Sequence, residues 1–190
     1  MHDKKRALLC AFTLICGINC LLDSKRNEEE CLEYYKNGET FDLNSLQGEM
    51  YAVYYWPPNQ RPRDSCEVIT FRKLLYQDIA RLYNECLSLN LSSEPTVLKA
   101  SYRNSADKQV NLLYYGHEEV KHMYRSCDRD ISKYLFIRVN NDYVLGINCS
   151  TGGRGVLLSR RMPTRREVER VIDETQIMSG REGSPDCPLI

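Results

Sequence analysis

Histidines, cysteines and one arginine-rich stretch are the residues here whose chemistry and spacing could do work. "GHEEVKH" places His117 and His122 five residues apart. An odd offset puts two strand side chains on opposite faces. The spacing is not that of the zinc motif HExxH, so no shared metal is expected and both read as surface loop histidines. "STGGRG" (150–155) is glycine-rich. It lacks the lysine of a phosphate-binding loop and no helix pattern follows, so it reads as a hairpin loop. No G-x-S-x-G nucleophile motif occurs. Arg154, Arg160, Arg161, Arg165, Arg166 and Arg170 could face an anionic partner, but a solvated helix face beside one structural arginine is the simpler reading. The chain is therefore expected not to be an enzyme.

Nine cysteines are present. Cys10, Cys16 and Cys20 fall in the N-terminal segment, where basic "MHDKKR" precedes the apolar run "ALLCAFTLICGIN". That run has the length of a signal-peptide core and is too short to span a bilayer. The expectation is a signal peptide over 1–20, a secreted chain and no membrane span. Six cysteines then remain: Cys31, Cys66, Cys86, Cys127, Cys149 and Cys187. An even number in an extracellular chain reads as a disulfide framework, with its connectivity open. No C-x-x-C occurs, which argues against zinc. Asn90 ("NLS") and Asn148 ("NCS") are acceptors for glycosylation, with Asn90 preferred because Asn148 abuts Cys149.

The elements that must position these residues follow from length and periodicity. At 190 residues and 22.1 kDa the chain fits one domain with tails. Its formal charge of zero gives no reason to expect nucleic acid. Thirteen tyrosines against four phenylalanines and one tryptophan suit a wall with polar tips. We read 21–45 as an N-terminal arm, 46–178 as the domain and 179–190 as a loop-like tail. "MYAVYYW", "CEVITFRKLLY", "IARLYNECLSL", "TVLKASYRN", "KQVNLLYYG", "SKYLFIRVN", "DYVLGINCS" and "GVLLSR" read as strands, separated by turn signals. "PTRREVERVIDETQ" reads as a helix: Thr164 and Glu167 form a capping box, and Val168, Val171, Ile172 and Thr175 share one face. Eight such strands argue for an antiparallel sandwich or barrel; the barrel closes the sheet, abolishes its edges and is wide enough for one small ligand.

Three stretches carry a family resemblance. "LQGEMY" is similar to the first-strand Gly-x-Trp segment of the lipocalins, with Gly48 kept and Met50 in the tryptophan's place. "NNDYVLGINC" resembles their Thr-Asp-Tyr segment, with Asp142 and Tyr143 kept and Asn141 for the threonine. "GVLLSRRMPT" resembles their last strand, where Arg160 takes the place of the arginine. The cysteine layout is most similar to the insect bilin-binding, insecticyanin-like branch. The resemblance implies an all-β, eight-stranded antiparallel barrel with one C-terminal helix, closed at one end by Gly48, Met50, Asp142 and Arg160. It implies the pairs Cys31–Cys149 and Cys66–Cys187, leaving Cys86 with Cys127. It implies a carrier of a small hydrophobic molecule such as a bilin, lipid, pheromone or retinoid, with no required cofactor. Inward residues of alternating strands would line the cavity: Tyr54, Trp56, Phe71, Tyr102, Tyr114, Phe136 and Tyr143. The rival expectation is a protein-binding module, such as a protease inhibitor, whose barrel is filled by its own tyrosines.

Overall fold

A computed structural model describes residues 25–59, 64–85, 91, 93–104, 106–125 and 131–190. The expected signal segment, Asn90, Cys86 and Cys127 lie outside the described residues. Eight antiparallel strands follow one another around a closed barrel: β1 (Gly48–Trp56), β2 (Glu67–Lys73), β3 (Val97–Arg103), β4 (Gln109–Tyr115), β5 (Lys121–Arg125), β6 (Ile131–Arg138), β7 (Tyr143–Asn148) and β8 (Arg154–Ser159). Each pairs with its neighbours in sequence, and β1 closes the ring by pairing with both β2 and β8. The expected barrel is thus present, with one exchange among its strands.

That exchange is a correction. "IARLYNECLSL" does not begin a strand: Tyr76–Glu85 is a helix, α2. Ile79 and Leu82, one helical turn apart, pack with Leu74, Leu91, Leu113 and Tyr124 on the outer wall of β3–β5. The missing eighth strand is "KHMYR", β5. Its inward residues include Lys121 and its outward ones His122, so charge and polarity fall on both faces and erase the period-two signal.

The segment expected to be a plain arm is helical over residues 25–35, α1. A 3₁₀ turn, Leu43–Leu46, then covers one end of the barrel, capped by the Asp42 side chain. The C-terminal helix α3 (Arg165–Glu174) has the expected capping box and buries Val168 and Val171 against the outer wall. Each of those valines is worth about 1.5–3 kcal/mol of burial. The tail is more than a loop. Its short strand β9 (Ser184–Pro185) pairs with Tyr54 and Tyr55, beyond the point where β2 leaves β1.

Candidate binding cavity

The two ends of the barrel differ. At the closed end Phe41, Leu43, Leu46, Met50, Leu98 and Leu158 are buried together in one packed cluster. Gly48 enters β1 at φ +104°, a conformation that suits glycine. Met50 is fully buried beneath the 3₁₀ turn. The Arg160 guanidinium donates to the Ser45 carbonyl of that turn, and the Arg160 amide donates to the Asp142 carbonyl at 3.0 Å. These contacts fasten the last strand and the β6–β7 turn to the lid. Lys121, also inward, donates its ammonium to the Glu118 carbonyl. Burial lowers its pKa, against the pull of Asp42 and Glu118.

Halfway up, aromatic rings form a floor. Tyr114 lies 5.2 Å from both Tyr134 and Phe136, and Phe136 lies 5.5 Å from Phe41. Phe71 joins at 6.4 Å from Tyr114. Burial pushes both the Tyr114 and Tyr134 hydroxyls well up from the ordinary phenol range. Gly146 makes the floor possible. A Cβ there would stand 2.8 Å from the Tyr134 hydroxyl and 2.9 Å from its ring.

Above the floor the barrel is hollow. A cavity of about 580 Å³ opens at the far end, within the range that holds a small organic ligand. Ile69, Leu112, Met123 and Val156 give it apolar walls, and Tyr55, Tyr102, Tyr114 and Tyr134 line it with rings. Its rim is polar: Asn59, Glu67, Asn104, Arg125, Asn148 and Arg154. Asn59 donates to the buried Asp186 carboxylate at 2.7 Å, tying the β1–β2 loop to the tail.

The sequence-predicted wall residues divide into three groups. Tyr102 and Tyr114 line the cavity, while Phe71 and Phe136 lie in the packed core beneath it. Tyr54, Trp56 and Tyr143 belong to the outer cluster between wall, helix and tail, with Trp56 also reaching the rim. The cause is a bulge in β1 between Ala52 and Tyr54. Strict alternation from Met50 would point Tyr54 and Trp56 inward. The extra residue turns Tyr55 inward instead. Tyr143 pairs with Ser159, one step out of phase with the inward pair Val144 and Leu158. Sequence reasoning missed Tyr55, Ile69, Leu112, Met123, Tyr134, Asn148 and Val156 as cavity residues. Once β4 is paired with β3, the inward set Val110, Leu112 and Tyr114 follows from period two.

The remaining named residues have structural places. Cys31–Cys149 ties α1 to the end of β7, and Cys66–Cys187 ties the start of β2 to the tail, with Cα separations of 5.5 and 4.8 Å. Asn148 faces the cavity with its amide oxygen buried, and neighbouring Cys149 is disulfide-bonded. His122 stacks on Tyr115 on the outer face, ring centroids 5.2 Å apart.

The fold is a closed eight-stranded up-and-down barrel with a helix after the last strand, a lipocalin-like architecture. No family model matches the sequence, and no curated protein matches it. Among solved structures the chain is similar to the cockroach major allergen Per a 4, at 11% identity, covering 76% of this chain and 87% of that one, with a TM-score of 0.48. It is similar to lobster apocrustacyanin A1 at 10% identity, covering 77% and 79%, TM-score 0.48. It is also similar to the amine binding protein of Rhodnius prolixus, solved as a tryptamine complex, at 10% identity, covering 79% and 86%, TM-score 0.42. At these levels the lipocalin reading rests on the strand order itself.

Proposed function

We propose that this protein is a secreted carrier that takes a small, largely hydrophobic molecule into the open-end cavity and holds it away from water. The observation that carries this reading is the hollow of about 580 Å³ above the aromatic floor, with apolar walls and tyrosine rings. Burial of an apolar body there supplies the driving force. Two disulfides that tie chain termini to the barrel support an extracellular setting. The reading requires no cofactor and no bond-making step. Cys66, like Cys31, Cys149 and Cys187, is held in a disulfide and offers no free thiol.

The rival reading, a protein-binding module with no ligand, expects a barrel filled by tyrosines. Tyr114 and Tyr134 fill only the middle of this one. Native mass spectrometry on protein secreted from a eukaryotic host, with an absorbance spectrum of the same sample, separates the two. The carrier reading expects an extra mass of a few hundred daltons, or uptake of added tetrapyrrole, lipid or retinoid. A polypeptide that stays bare after those incubations overturns it.

A further inference from the structure

Three of the cavity's polar groups stand side by side, apart from the Glu67 and Asn104 side of the rim. Tyr134 on β6 pairs directly with Asn148 on β7, and Asn148 pairs directly with Arg154 on β8. All three line the cavity, so they form a continuous row across its inner wall, from floor to rim. The neighbouring wall residue on β8, Val156, is apolar, as are Ile69, Leu112 and Met123 elsewhere around the hollow. Two members of the row are poised for a partner. Arg154 has no ion-pair partner among the described residues, and neither does Arg125 on the same rim. The carboxamide of Asn148 is held by no hydrogen bond among the described residues, and its oxygen is buried. A buried polar atom without a partner is costly, and native folds retain few of them.

From this row, and resting on the carrier reading above, we propose that the ligand is an amphipathic anion. Its apolar body lies on Ile69, Leu112, Met123 and Val156. Its anionic head meets the Arg154 guanidinium at the rim, beside Asn148. Guanidinium suits a carboxylate or sulfonate because its fork of N–H donors can bond two oxygens at once. With its charge compensated, Arg154 can lie over the mouth and offer another N–H to the Asn148 oxygen. That N–H satisfies the buried Asn148 acceptor. Arg125 adds a second positive field from the other side of the rim.

A matched pair of dyes tests this on the full, disulfide-bonded chain. 8-Anilinonaphthalene-1-sulfonate carries an anion on an aromatic body. N-phenyl-1-naphthylamine has the same body without the sulfonate. The expected result is one dye per chain, with the sulfonate bound about tenfold more tightly, as one charge-assisted bond would give. Arg154→Met should remove that advantage and bring the two dyes to equal affinity, whereas Arg165→Met on helix α3 should leave the tenfold difference in place. Asn148→Asp should weaken the sulfonate alone. Dodecanoate should displace either dye at concentrations where dodecanol does not. Equal affinity for the two dyes, or a sulfonate affinity indifferent to Arg154→Met, overturns the anion inference while the carrier reading stands. Binding of neither dye overturns both.

Discussion

At Gly146 the barrel wall carries no side chain, and that gap holds the Tyr134 ring. Gly146→Ala would force the ring from its place, since its nearest atom lies 2.8 Å from the new methyl. The expected cost is about 1–3 kcal/mol of stability, as for other overpacked sites. A denaturant melt measures it, and dye titration shows whether the displaced ring enters the cavity. Tyr134 and Tyr114 also set an alkaline limit. Burial raises both hydroxyls in the folded state, so their contribution is full below about pH 10 and declines as pH rises above the ordinary phenol value. Ultraviolet titration should show these two phenols ionising only as the chain unfolds; early ionisation of every tyrosine would contradict the buried floor. At this scale the sequence was only partly legible. Tyr102 and Tyr114 could be placed in the wall because β3 and β4 alternate regularly. Tyr54 and Tyr55 could not be told apart, because a single bulged residue in β1 exchanges their faces and leaves no compositional mark.

Among elements, α1 is held by several unlike contacts. The Glu28 carboxylate accepts from Ser150 at 2.6 Å and pairs with Lys133 at 3.0 Å, while Cys31 bonds Cys149. The Tyr35 hydroxyl and the Gly152 and Gly153 carbonyls receive the Arg181 guanidinium. Burial alone would raise the Glu28 carboxyl, but Ser150 and Lys133 outweigh it and hold it below its ordinary value. Its stabilising effect is therefore present above the ordinary carboxylate range and lost as pH falls through the depressed value. Hydrogen-exchange protection at residues 25–35, taken relative to the intrinsic rate at each pH, should fall on acidification before that of the barrel strands. Glu28→Gln should flatten that response; an unchanged profile would show that another group governs it. On α3, the Arg161 guanidinium and the Thr164 backbone amide bring the Glu167 carboxyl down to about 2, so this cap survives mild acid. Thr164→Ala should cost about 0.5–2 kcal/mol in a thermal melt. That helix was legible because capping box and apolar stripe agree. α2 was not: its few apolar residues fit two periods, and only packing on β3–β5 decides between them.

Across the whole molecule, the two described disulfides enclose long, overlapping stretches, with sequence separations of 118 and 121 residues. Each should contribute about 2–4 kcal/mol, chiefly by limiting the unfolded chain. Replacing Cys66 and Cys187 together by alanine should lower the melting temperature and free β9 from β1. An unchanged melt would mean that strand pairing alone holds the tail. The barrel was legible at this scale because closure depends on the number and order of strands, and those survived exchanging one strand for another. The cavity was not, because its depth depends on where rings meet across the interior. The chain's single tryptophan, Trp56, is 2% exposed, lies 4.5 Å from the Tyr54 ring and borders the cavity mouth. Its emission is therefore a built-in optical gauge of the entrance: occupancy of the mouth should shift or quench one signal from one known place, with no label attached.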